Sequence, residues 1–80
     1  MTHPEIQAAL AELLSITVGR QIGFKEAVTR DLETSWDSLK HVELIFMLEE
    51  RFGVQFSEQE MAELRSSDRI VQAIEEKHAA

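Results

Sequence analysis

The stretch Ser38-Leu39-Lys40-His41-Val42-Glu43-Leu44-Ile45-Phe46-Met47-Leu48-Glu49-Glu50-Arg51-Phe52-Gly53 decides how the rest of the chain is read. On a helical wheel at about 100° per residue, with Leu39 at 0°, Leu44, Leu48, Phe52 and Ile45 fall between roughly 140° and 240°. That is the width of a core-facing stripe. Leu39, Val42 and Phe46 form a second apolar stripe between roughly 300° and 360°, bordered by Glu43, Glu49 and Glu50. A helix apolar on two sides is either buried all round or offers one side to a partner. Burying three unpaired glutamates beside the second stripe would cost several kcal/mol, so the second stripe is expected to face a partner. Gly53 ends the helix.

Working outward, Thr2-His3-Pro4-Glu5 reads as a capping box with proline in the first turn. Ile6, Leu10, Leu13, Leu14 and Thr17 then mark one helical face up to Gly19. After Phe52, Ser57-Glu58-Gln59-Glu60 is a second capping box, opening a short helix with Met61 and Leu64. Ser66-Ser67-Asp68 supplies N-caps for a final helix bearing Ile70, Val71 and Ile74, expected to fray from Glu75 onward, with Glu75-Glu76 a solvated end. Val54-Gln55-Phe56 alternates but has no partner strand. The expectation is one domain over 1–80: an all-α, small four-helix bundle of three longer helices and one short helix. The boundaries are about 3–18, 38–52, 58–64 and 67–77. The connection 19–37 is long for a compact domain. Its spaced Ile22, Phe24, Val28, Leu32 and Trp36 suggest a loop pinned to the core, with Val28 and Leu32 able to share at most one helical turn.

Composition narrows the function. The 80 residues hold 15 Asp+Glu against 8 Lys+Arg, a formal charge of −7, with 44% hydrophobic residues. That is a globular balance. A domain of this size buries only about 60–65% of its unfolded surface, which leaves little room for an enclosed active site. Scattered basic residues in an acidic chain argue against nucleic acid and favour partners with basic patches. There is no cysteine, hence no disulfide, thiol nucleophile or thiolate metal site. No apolar run approaches the ~20 residues of a membrane span, and the first residues lack the pattern of a signal peptide. These features lead to the expectation of a cytoplasmic, monomeric, non-membrane protein.

Asp37-Ser38-Leu39 stands where the long loop meets the decisive helix. Asp or Ser there is ordinarily an N-cap, yet a helix start also offers free N–H groups and positive dipole to an anion. With this motif, Asp31-Leu32 before it, and the run from Val42-Glu43-Leu44 through Leu48-Glu49-Glu50-Arg51-Phe52-Gly53 after it, the chain resembles the acyl carrier proteins over nearly its whole length. The resemblance implies a non-catalytic carrier with a 4′-phosphopantetheine arm esterified to Ser38, flanked by Asp37 and Leu39. The arm would supply the thiol that the chain lacks and hold an acyl group as a thioester, as in fatty-acid or polyketide biosynthesis. Partners would be a phosphopantetheinyl transferase and acyl-activating or acyl-transfer enzymes. These would dock on Leu39, Val42, Glu43, Phe46, Glu49 and Glu50. An aminoacyl or peptidyl carrier shares this pattern, and an unmodified helical interaction module is the alternative of another class.

The chain departs from the commonest fatty-acid carriers in three places. Glu33-Thr34-Ser35-Trp36 lengthens the step before Asp37, Lys40-His41 follows the motif, and Ser67 stands near a position that is often valine. These departures look more like a free-standing carrier of a specialised pathway, with Lys40 and His41 biasing partner choice. Trp36 either anchors the loop or lines a cargo pocket. A Ser38–His41 catalytic pair lacks a third orienting group. His3, His41 and His78 have no metal-ligand spacing and are expected to be solvent-exposed. Met47 and Met61 are expected to fill the core.

Overall fold

The computed structural model describes residues 2–79. Among them the chain forms α1 (His3–Val18), α2 (Ser38–Phe52), α3 (Glu58–Glu63) and α4 (Ser67–Ala79), with a 3-10 turn at Arg30–Leu32 and no strand. This is the small all-helical bundle expected. No described helix is long and apolar enough to cross a membrane.

Local chemistry explains each start and stop. Thr2 and Glu5 close a reciprocal capping box on α1, the Thr2 N–H donating to Glu5 Oε1 at 2.9 Å. Ser57 and Glu60 do the same on α3. Gly19 and Gly53 end α1 and α2 in the left-handed region, at φ 74° and 64°, where any side chain would be strained. The α1 face Ile6, Leu10, Leu13, Leu14 and Thr17 is buried, as its spacing requires, and α1 packs on α2 and α4. Met47 and Met61 lie partly buried against the core.

Two boundaries and one suggested turn differ from the sequence reading. Leu64 leaves α3 rather than ending it, and is buried in the core instead. Helix α4 runs on to Ala79 without fraying at Glu75, because two histidines hold it. His3 Nδ1 lies 2.7 Å from Glu75 Oε1, and His78 Nε2 donates to the Phe52 carbonyl at 3.0 Å. Val28 and Leu32 share no turn. Leu32 is 87% exposed in the 3-10 turn, whereas Val28 is drawn into an extended contact with the start of α4.

That contact pins the long loop. The Ser67 N–H donates to the Val28 carbonyl and the Arg30 N–H to the Arg65 carbonyl, each at 2.8 Å, around an isolated Thr29–Ser66 bridge. The buried Ser67 hydroxyl accepts from the Val28 N–H at 2.9 Å and faces the Glu26 carbonyl at 3.4 Å. Valine could not supply this bond, which gives the serine at 67 its reason. Ser66, not Ser67, caps α4, accepting from the Arg69 N–H. Farther back, Arg20 pairs with both Glu26 and Glu33 at 2.9 Å. Ile22, Val28 and Trp36 are buried, while Phe24 stays half-exposed. The loop is therefore a fixed part of the fold.

Candidate functional site

Ser38 is the first residue of α2 and is solvent-exposed. Asp37 caps the helix, its Oδ1 accepting from the Lys40 N–H at 2.9 Å, so the carboxylate is turned into the helix start. The Ser38 hydroxyl oxygen accepts from Arg30 Nη2 at 3.1 Å, and the same guanidinium donates through Nε to the Trp36 carbonyl at 3.2 Å. Arg30 lies eight residues before Ser38, and no periodicity or motif in the sequence signals it. The 3-10 turn and the bridge to Arg65 put it there.

The two faces of α2 divide as the wheel requires. Leu44, Ile45, Leu48 and Phe52 are buried, while Leu39, Val42 and Phe46 stand 68%, 47% and 65% exposed in one strip. Full burial of the helix is thereby excluded. Glu43 and Glu50 are exposed. Glu49 is half-buried and accepts from the Phe56 N–H at 2.9 Å, so one of its oxygens already holds the chain after α2. Lys40 Nζ reaches Glu43 at 3.8 Å, which partly offsets its charge at the head of the strip.

His41 is the main correction. It is only 7% exposed, not a surface histidine, and it does not face partners. The wheel places it at roughly 200°, inside the core stripe; its residue type, not its position, suggested solvent. Trp36, 2% exposed, donates its indole N–H to His41 Nδ1 at 3.0 Å. His41 Nε2 lies 2.7 Å from the Met61 carbonyl. A carbonyl only accepts, so the proton is on Nε2 and Nδ1 is the acceptor. Burial, opposed by the Met61 bond and aided by the nearby charges of Arg30 and Arg65, keeps the imidazole pKa below its usual value. With both ring nitrogens engaged, His41 cannot serve Ser38 as a base. Trp36 is an anchor of the loop onto α2.

Elsewhere, a small pocket of about 20 Å³ lies between α1, residues 22–26 and the start of α4. It includes no residue of α2, so it is separate from Ser38. Among the described residues no three His, Asp or Glu side chains converge as a metal site.

No family model, curated protein or solved structure matches the chain. The chemistry available at Ser38 must therefore be argued from its surroundings. An exposed primary hydroxyl stands on a rigid helix start beside a cation, at the head of an exposed apolar strip rimmed by carboxylates. A group attached to this hydroxyl would be accessible from solvent, and the side chain hydrogen-bonded to it is the Arg30 guanidinium.

Proposed function

We propose that this chain is a non-catalytic acyl carrier protein, bearing a 4′-phosphopantetheine arm on Ser38 and acting as a cytoplasmic monomer. The observation that carries the reading is the continuity of Ser38 with the exposed strip Leu39, Val42 and Phe46 on a helix whose opposite face is buried. An enzyme that covers the strip meets the serine at its end. The residues present suit an anionic ester: an accessible hydroxyl, the Arg30 guanidinium against it, and Asp37 occupied with the Lys40 N–H.

Loading requires a transferase, because the chain offers Ser38 no base. The Ser38 oxygen would form a bond to the β-phosphorus of coenzyme A as the pyrophosphate P–O bond breaks. The serine proton passes to the transferase, and the electron pair leaves with the nucleotide half. The attached arm would supply the terminal thiol on which cargo rides as a thioester. Docking through Leu39, Val42 and Phe46, rimmed by Glu43 and Glu50, raises the local concentration of cargo at a partner's active site. The acidic rim selects basic docking patches.

An aminoacyl or peptidyl carrier would use the same surface, and an unmodified interaction module would use the strip without the serine. Intact mass after incubation with coenzyme A and a broad-specificity phosphopantetheinyl transferase separates carriers from the module. One phosphopantetheine should be gained by the wild type and none by Ser38→Ala. No gain with several transferases would leave only the interaction module.

A further inference from the structure

Arg20, Lys40, Arg51, Arg65, Arg69 and Lys77 each pair with a carboxylate. Among the described residues two of the eight Lys and Arg have no such partner, in a chain that carries a net charge of −7: Lys25, whose ammonium lies over the Phe24 ring, and Arg30. Its guanidinium is instead spent on two neutral oxygens, the Trp36 carbonyl and the Ser38 hydroxyl. It is also fixed from behind. The Arg30 N–H donates to the Arg65 carbonyl at 2.8 Å, and the Arg30 carbonyl accepts from the Glu33 N–H at 3.2 Å. Arg65 in turn pairs with Asp31, so the turn that bears Arg30 is tied to the start of α4. A half-buried cation, held in place and left without a counter-charge, rests on one serine oxygen.

We propose that Arg30 is the positioning residue for a phosphodiester on Ser38, neutralising that monoanion and fixing the direction in which the attached arm leaves the surface. The inference rests on the carrier reading above and goes beyond it by assigning the counter-ion. A phosphodiester esterified to Ser38 carries its negative charge on oxygens two covalent bonds from the atom that Arg30 already contacts. A guanidinium binds phosphate oxygens through a planar fork of donors. The second donor, on the Trp36 carbonyl, holds the fork while the first exchanges a neutral acceptor for a charged one. Lysine would keep the charge without the fork.

The experiment is a thermodynamic cycle. Wild type, Arg30→Gln and Arg30→Lys are each unfolded thermally in the unmodified form and after loading from coenzyme A, with loading confirmed by intact mass. Losing the Trp36 contact lowers Tm in both forms of a variant and cancels in the difference. Attachment should raise the wild-type Tm by roughly 2–6 °C, as expected for one exposed charged contact in a domain of this size. The gain should vanish in Arg30→Gln, survive in part in Arg30→Lys, and shrink in about 1 M salt, where the screening length is about 3 Å. Equal shifts in all three loaded proteins would overturn the role of Arg30 and leave the carrier reading intact. No mass gain in any of them would overturn both.

Discussion

The indole N–H of Trp36 and Nδ1 of His41 meet at 3.0 Å, with both side chains buried and the rings tilted at 32°. The other imidazole nitrogen reaches the Met61 carbonyl. One histidine thus joins the end of the long loop, the first turn of α2 and the short helix α3, directly behind the exposed Ser38. The Trp36 bond requires a neutral ring, because a proton on Nδ1 would face the indole N–H donor, whereas Nε2 donates to Met61 in either state.

Stability should therefore depend on pH between neutrality and mild acid. The folded His41 pKa lies below its usual 6.5, so below that value the unfolded chain binds the extra proton and the fold does not. The contribution is complete above about pH 6.5 and is lost as pH falls from there toward the folded pKa. The paired carboxylates Glu26 and Glu60 are held below their usual 4.5 by Arg20 and by Lys77, so they weaken the fold only in more acid solution. Urea unfolding followed by Trp36 fluorescence should show a decline between pH 7 and 5 in wild type. His41→Gln, which can keep a donor and an acceptor, should flatten that limb alone. An unchanged slope would place the titration elsewhere.

Removing the ring altogether is a harsher test. His41→Ala leaves a buried indole N–H and the Met61 carbonyl without partners, and should destabilise the domain by about 2–4 kcal/mol. For the same reason, replacing Lys40 and His41 together would confuse folding with partner choice.

Partner choice is cleanly tested at Lys40 alone. Lys40→Asp changes the field at the head of α2 by two charge units, on the order of 1 kcal/mol at an exposed position, or several-fold in relative affinity. If the chain is the carrier proposed above, the variant should be accepted better by general fatty-acid enzymes and worse by a specialised partner in side-by-side loading assays. Equal elongation of wild type and a housekeeping carrier would show Lys40 to be neutral.

The two sides of α2 should respond oppositely to substitution. Phe46→Glu, on the exposed strip, should change stability by no more than about 0.5 kcal/mol while impairing transfer to docking enzymes. Leu48→Ala, at a fully buried position, should cost roughly 2–5 kcal/mol. Thermal unfolding of the unmodified protein measures both.

At the other end of the loop, Ser67→Val should leave the Val28 N–H buried without an acceptor, at a cost of about 1–3 kcal/mol. Amide exchange at Val28 should quicken more than exchange within α1. Protection equal to wild type would show that the Ser67 hydroxyl does not hold the loop.

Helices, caps and faces were legible in the sequence because each depends on residues three or four apart. The Thr2–Glu5 and Ser57–Glu60 boxes, the Gly19 and Gly53 stops, and the division of α2 into Leu44, Ile45 and Leu48 against Leu39, Val42 and Phe46 all follow from that geometry. The same arithmetic puts His41 in the core stripe. The course of residues 19–37 was not legible. Arg30 meets Ser38 across eight residues, and Val28 meets Ser67 across thirty-nine. No local period encodes such pairs; they form where the chain path brings a buried N–H or a guanidinium to an oxygen that can accept from it. Tertiary packing alone thus set a cation against the hydroxyl that the sequence had already placed at the head of α2.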